Sequence, residues 1–471
     1  MSFYSWQLTL RSFLQHDGLP FASLLSEDTI QQIAHDAGVP SPSAGDAGDG
    51  VVYTTAVTLW AFLSQVLFSK EQRSCRAAVA RVIVLCVALG KEPCSDNTGA
   101  YCRARARLPL VLIQRLTYHL ADAAEASVPD KWLWKGRHVH LVDGATGSAP
   151  DTPSLQRAYP QPPAQKPGLG FPLIRMVVVL SLATAMLGGM ALGPYSGKES
   201  GETALFRQLL DRLKSGDVVL ADRYFCSYFM IALLRGLGVD VVMRQHQCRD
   251  TDFRRGRRLG PGDHVVTWLR PQRPEWMDQD TYEQMPESLE VREVHVRVEQ
   301  PGFRVESLIA VTTLTDADAY TRADIAELYH KRWLVELDIR VLKTTLGMDV
   351  LRCKSPEMAV KEMWACLLAY NLIRQSMLSA ALAKDLSPRQ LSFTAAMQKI
   401  AASWVTILMC DEDRARALID THLGDMAKNI IGDRPDRVEP RAVKRRPKPH
   451  PLLTKPRAQA RAELMHGGSV A

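Results

Sequence analysis

Apolar positions in residues 1–38 recur at helical spacing, and Ser26-Glu27-Asp28 opens one helix there with capping chemistry. Residues 40–50 are a Pro/Gly/Ser/Asp linker. The helical period returns over 53–127 and predicts four helices: Ala56 to Phe68, Cys75 to Leu89, Asn97 to Leu108 and Leu110 to Ala126. At His138 the period changes, and His138-Val-His-Leu-Val-Asp143 reads as a strand that ends on an acid. A proline-rich loop to Gly170 is followed by strands over 171–182 and 185–192 and a helix from Glu199 to Lys214. Val218-Val-Leu-Ala-Asp222 reads as a buried parallel strand, again closed by an acid. A helix over Tyr224 to Arg235 and a strand over Asp240 to Met243 come next.

Between Arg244 and Val305 the pattern becomes polar, with short strands at His264 to Leu269 and Leu289 to Val298, and predicts a β-rich insertion. Its first part is arginine-rich and its second part acidic. The strand Ser307 to Leu314 leads into a helix carrying Glu336, and another helix spans Glu357 to Leu382. The tail from Arg434 to Arg461 is basic and proline-rich, centred on Lys444-Arg-Arg-Pro-Lys-Pro, a composition that is extended or disordered on its own. Met176 to Gly197 carries no charge and is long enough to cross a bilayer. Gly188-Gly189 and Gly193-Pro194 break it, so it reads as two buried strands.

At 471 residues the chain is too long for one ordinary domain. Its 46% apolar and 23% charged content gives a globular protein with a real core. A net charge of +7 permits a polyanionic partner without demanding one. The nine cysteines include no CxxC pair, which argues against structural zinc or a disulfide scaffold and fits a reducing cytoplasm. The N-terminus has no signal-peptide character.

The chemistry gathers at three acids. Tyr329, Arg332, Glu336 and Lys343 fall within an arc of about 60° on one face of a regular helix, while Leu334, Leu337 and Val341 can dock it. That face presents one acid beside two cations and a phenol, although such spacing alone also fits a solvated helix surface. Asp143 and Asp222 close apolar strands; taken singly, one also fits a turn and the other an ion pair with Arg223 or a helix cap. Three carboxylates without histidine or cysteine favour Mg²⁺. Two such ions about 3.5–4 Å apart can serve both oxygens of an in-line phosphoryl displacement. Arg103, Arg105 and Arg107 mark a short basic helix of the kind that enters a DNA groove, or a solvated face. His138 and His140 suit packing or, at i and i+2, coordination. Glu199 and Glu202 suit a helix N-terminus or a supporting place at the site.

The chain resembles DDE transposases of the insertion-sequence-4 family. Three motifs carry the likeness: Leu141-Val-Asp143-Gly-Ala-Thr146, Leu220-Ala-Asp222-Arg223-Tyr224-Phe225, and Tyr-x2-Arg-x3-Glu-x6-Lys at Tyr329, Arg332, Glu336 and Lys343. The third is the specific one, and the likeness spans residues 50–382. It implies an α/β chain with a ribonuclease H-like catalytic domain at 138–243 and 305–385. The β-rich insertion occupies 244–304, and a helical DNA-binding domain at 51–130 precedes the catalytic domain. Around these lie an N-terminal helical segment and linker (1–50), a helical region (386–433) and the basic tail (434–471). Asp143, Asp222 and Glu336 would be catalytic residues and ligands of two Mg²⁺ ions, with Mn²⁺ as a substitute. Tyr329, Arg332 and Lys343 would grip phosphates. Trp268 or Trp276 would stack on a flipped base if the reaction passes through a hairpin end.

The implied function is a transposase of the prokaryotic cytoplasm, at the nucleoid. It would bind double-stranded DNA at the element's terminal repeats, cut there and join 3′-OH ends to target DNA, acting as a homodimer in the synaptic complex and with no membrane partner. The alternatives are a domesticated copy that only binds DNA and a ribonuclease H-like nuclease without strand transfer.

Overall fold

A computed structural model describes residues 2–39, 51–68, 70–297, 307–432 and 451–466. The linker at 40–50 and the Lys444-Arg-Arg-Pro-Lys-Pro centre of the tail lie outside the described residues. The molecule is mixed α/β and built on one large sheet. Its strands are β1 (Val139–Ser148), β2 (Leu173–Ser181), β3 (Leu187–Pro194), β4 (Val218–Ala221), β5 (Asp240–Arg244), β6 (Arg257–Gly260), β7 (Asp263–Leu269), β8 (Ser288–Arg297) and β9 (Ser307–Thr312). They lie in the order β3-β2-β1-β4-β5-β9-β8-β7-β6. β1, β2 and β3 form an antiparallel meander, and β4 and β5 run parallel to β1. The helices Glu202–Arg207 and Tyr228–Gly236 supply the crossovers that parallel pairing requires. β2 and β3 occupy most of the uncharged stretch at 176–197, and among the described residues no helix is long and apolar enough to cross a membrane.

Two cores sandwich the sheet. One face, with Val142, Val219 and Val241, packs on Phe206, Phe225 and Ile231 of the crossover segments. The other, with Leu141, Val178 and Leu220, packs on helices from both ends of the chain. The centre of that second core is the 27-residue helix Pro356–Leu382, opened by Ser355, whose side chain accepts the Met358 N–H, and by Pro356 in the first turn. It has no polar face and is buried almost throughout, with the few polar side chains it carries, such as Asn371 and Arg374, hydrogen-bonded inside. Asn371 ties it down: the side-chain amide donates to the Thr117 and Leu187 carbonyls, both at 3.0 Å, and its oxygen accepts the Leu187 N–H at 2.9 Å. The helices Thr55–Leu67, Cys75–Ala88, Thr98–Arg107 and Leu110–Ala126 share this core, so the N-terminal helical region packs continuously with the sheet.

Three sequence expectations need correction. β1 does not end at Asp143. It runs on to Ser148 because β2 keeps pairing with it, from Asp143↔Val178 to Ser148↔Leu173. The helix expected over Glu199 to Lys214 is shorter: Glu199 sits at φ 55°, a left-handed conformation that cannot belong to a helix, and regular α structure covers only Glu202–Arg207. The strands of the 244–304 insertion join the main sheet. β9 pairs with both β5 and β8, so β9 covers the edge β5 would otherwise expose and β8, β7 and β6 prolong the main sheet beyond it. Finally, the helix carrying Tyr329 to Lys343 is not continuous. Arg322–His330 stops, Trp333–Arg340 restarts after a tight turn at Lys331 and Arg332, and Val341–Thr345 is a single π-helical turn.

Candidate active site

Parallel pairing of β1 with β4 ends at Val142↔Ala221. Asp143 and Asp222 are the next residues on the two strands, and adjacent strands lie about 4.8 Å apart. β4 stops there because Asp222 Oδ1 accepts the Tyr224 N–H at 2.7 Å, an Asx-type turn that pulls the chain out of the sheet. Asp143 Oδ1 accepts the N–H of Gly144 at 2.8 Å.

The helix Trp333–Arg340 lies over β1 and brings Glu336 to the same end of the sheet. Arg332, in the turn before it, donates to Glu336 Oε1 at 2.7 Å and places its other terminal nitrogen 3.9 Å from Asp143 Oδ2. One guanidinium therefore spans two of the three acids. Tyr329 is buried beside it. The helix is held by Asp338, two residues past Glu336 and 3% exposed, which accepts from Arg374 and Arg389, both at 2.9 Å. Arg389 also donates to the Ser181 carbonyl at 2.7 Å, so the buried triad joins the Glu336 helix to the end of β2 and to the central helix. Sequence reasoning missed Asp338, Arg374 and Arg389. The available signal was an acid, Asp338, flanked by the apolar Leu337 and Ile339 on a helix that must dock.

The electrostatics are those of crowded, half-desolvated acids. Burial, with the charges of Asp222 and Glu202 added, pushes the Asp143 carboxyl up to about 6, against the pull of the Gly144 N–H and Arg332. Glu202 is raised for the same reasons, burial first and Asp222 second, with Arg175 opposing. Burial pushes the Tyr329 phenol up to about 12. Burial works against the charge on Arg332, but Tyr329, Glu336 and Asp143 outweigh it and keep the guanidinium protonated.

Of the two acids the sequence offers for a supporting place, Glu202 is the one that reaches the site. Its carboxylate lies against the backbone of Gly144, so close that a Cβ there would meet its carboxyl carbon at 2.3 Å. Glu199 instead pairs with Arg207 at the surface. Among the described residues no three His, Cys, Asp or Glu side chains converge tightly enough to hold an ion as they stand. Asp143, Asp222, Glu336 and Glu202 share one neighbourhood, with Arg332 occupying the space between Asp143 and Glu336. The donor set is entirely oxygen, which fits a hard divalent cation.

The other candidate residues fall in different places. Lys343 sits half-buried in the π-helical turn. Arg223 lies beside the exposed Tyr224 ring, 5.8 Å from its centroid. His138 pairs with Glu125 at 2.8 Å and His140 with Asp217 at 3.0 Å; both precede Asp143 toward the N-terminal end of β1, so the coordination alternative is set aside. Arg103, Arg105 and Arg107 do not form one basic face. Arg103 and Arg107 are exposed, whereas Arg105 turns inward, donating to Gln65 Oε1 at 3.0 Å and lying over the Phe62 ring. Trp268 is 5% exposed, its indole N–H donating to Glu293 at 3.1 Å and one ring face covered by Arg249, so it packs and offers no face for stacking. Trp276 is 37% exposed, with Arg207 3.8 Å from its ring centroid.

Comparison with known proteins agrees with these motifs. Residues 134–372, just over half of the chain, match the family model described as Transposase DDE domain. The transposase InsG for insertion sequence element IS4 of Escherichia coli K12 is 28% identical over 371 residues, covering 76% of this chain and 78% of that protein. The transposase for insertion sequence element IS421 of Escherichia coli is 39% identical over 66 residues, 14% of this chain and 18% of that one. A piggyBac transposase synaptic complex with hairpin DNA aligns with TM-score 0.42 and 10% identity over 89% of this chain and 85% of that one.

Proposed function

The chain belongs to the transposases with a DDE domain, in the insertion-sequence-4 family, and on that premise we propose that Asp143, Asp222 and Glu336 are its catalytic carboxylates. It is a DNA transposase, an enzyme that cuts and transfers DNA strands with a divalent metal. The observation carrying the assignment is the register of β1 and β4, which ends one residue short of Asp143 and Asp222, with Arg332 linking Asp143 to Glu336. We read β1 to β5 and the Glu336 helix as a ribonuclease H-like unit, on their order and direction. Asp143, Asp222 and Glu336 would hold Mg²⁺, or Mn²⁺ in its place; a bound pair of such ions activates the attacking oxygen and stabilises the leaving one.

The rest of the mechanism belongs to the protein's own groups. Arg332 and Lys343 bind phosphates of the element end, the first as a planar fork and the second as a point charge. As Arg332 turns to a phosphate it releases the oxygens of Asp143 and Glu336. Tyr329, neutral at every working pH, positions Arg332 by packing. A water oxygen attacks the scissile phosphorus at the element end and the 3′ oxygen leaves; the freed 3′-OH then attacks a target phosphorus, joining the element's 3′ oxygen to it as the target strand's own 3′ oxygen leaves, and in each step the proton lost by the attacking oxygen is matched, through solvent, by the one the leaving oxygen takes up. Arg103 and Arg107 contribute phosphate contacts, and Trp276, the more exposed of the two insertion tryptophans, is the one available to a base. Two copies act together when two ends are paired, and the double-stranded element ends and target are the substrates.

The test is Mg²⁺-dependent nicking of a duplex carrying an element end. Glu336→Ala abolishes nicking while end binding persists; retained cutting overturns the assignment.

A further inference from the structure

The segment after β3 is fixed with more care than a connecting loop requires. Arg175 of β2 donates to the Ser200 carbonyl at 2.9 Å, and the Ser200 hydroxyl donates to the Gly197 carbonyl at 2.7 Å. Ala204, Leu205 and Phe206 are buried, and Leu205 lies so close over β3 that a Cβ at Gly193 would meet its side chain at 3.1 Å. The result is to lay Glu202 across β1 beside Asp143. Among the described residues no hydrogen-bond donor takes up its half-buried carboxylate, and Arg175 answers its charge only at a distance. The neighbouring position is glycine at ordinary φ, and the reason is space: with any side chain, residue 144 would overlap the Glu202 carboxyl group, whose nearer oxygen stands 2.4 Å from an ideal Cβ.

Resting on the reading of Asp143 and Asp222 as cation ligands, we propose that Glu202 is a fourth carboxylate of the metal site, seated beside Asp143 in the space that Gly144 leaves open. Its role is to supply a further hard oxygen on the side of Asp143 away from Arg332. Glu199, three residues earlier and paired with Arg207 in solvent, has no such role.

The experiment is Mn²⁺ binding to the full chain without DNA, read by electron paramagnetic resonance of the free ion, with thermal unfolding as the fold control. Glu202→Gln should weaken Mn²⁺ binding about ten-fold or more, the scale on which carboxylates around metal sites act. Glu199→Gln should match wild type. Gly144→Ala, which displaces the Glu202 carboxylate while leaving every acid in place, should weaken binding in the same direction. Wild-type affinity in Glu202→Gln, with Asp143→Asn losing affinity, overturns the fourth carboxylate alone. Wild-type affinity in Asp143→Asn as well overturns the underlying reading of the site.

Discussion

Arg374 donates to Asp338 at 2.9 Å beneath the helix that carries Glu336, and Arg389 closes the second carboxylate oxygen at the same distance. Glu336, the proposed helix-borne ligand, is thus positioned by another acid two residues later that faces into the protein. Removing one member of a buried ion cluster leaves the others uncompensated, which costs about 3–5 kcal/mol. Asp338→Ala should therefore lower the unfolding midpoint markedly, and Asp338→Asn by less, because the amide oxygen still accepts from one arginine. Thermal unfolding checks both; an unchanged midpoint in Asp338→Ala would mean the triad does not hold the helix.

The Asp143 carboxyl gives a pH signature. Its affinity for a proton is higher in the folded chain, at about 6, than in the unfolded chain, with burial the main cause. The sign follows: folding is penalised as pH rises from the ordinary carboxylate range through 6, and the penalty persists above. Asp143→Asn removes it, so without divalent metal the variant should be the more stable protein at pH 7.5, by about 2–3 kcal/mol. The gain should vanish near pH 4. Unfolding midpoints in EDTA across that range decide the matter; a gain that does not change with pH would count against the buried-acid account.

Arg103 and Arg107 are open to solvent and Arg105 is not. Replacing the exposed pair with alanine should weaken end binding and flatten its salt dependence by about 0.9 in log–log slope for each phosphate left without its arginine, with stability unchanged. Arg105→Ala should do the reverse, lowering stability because it removes the bond to Gln65 and the packing over Phe62. Titrations at several salt concentrations separate the two outcomes.

What can be read in the chain depends on how local its cause is. β2, β4 and β5 announce themselves as short, mainly apolar runs, and the central helix as a long one, because burial on both sides leaves few polar positions. The true end of β1 is hidden because its continuation past Asp143 depends on β2, thirty residues later in the chain. The break at Lys331 and Arg332 is hidden too: the spacing of Tyr329, Arg332, Glu336 and Lys343 fits a regular helix, and only the fold shows one helix packed by β5 and the next over β1. Arg105 and Trp268 turn inward for similar reasons, since residue type alone does not tell which face of a helix or strand finds a partner. Asp338, and the choice between Glu199 and Glu202, need three dimensions, because each is defined by what it touches far away in sequence.

The central claim is that Asp143, Asp222 and Glu336 share divalent cations. Anomalous scattering from Mn²⁺ in crystals of the full chain bound to an element end tests it most directly. The account predicts Mn²⁺ peaks coordinated by carboxylate oxygens of Asp143 and Asp222, with Glu336 at the same centre and Arg332 turned to a phosphate. Mn²⁺ bound elsewhere, with Arg332 still bridging Asp143 and Glu336 in the DNA complex, would contradict it.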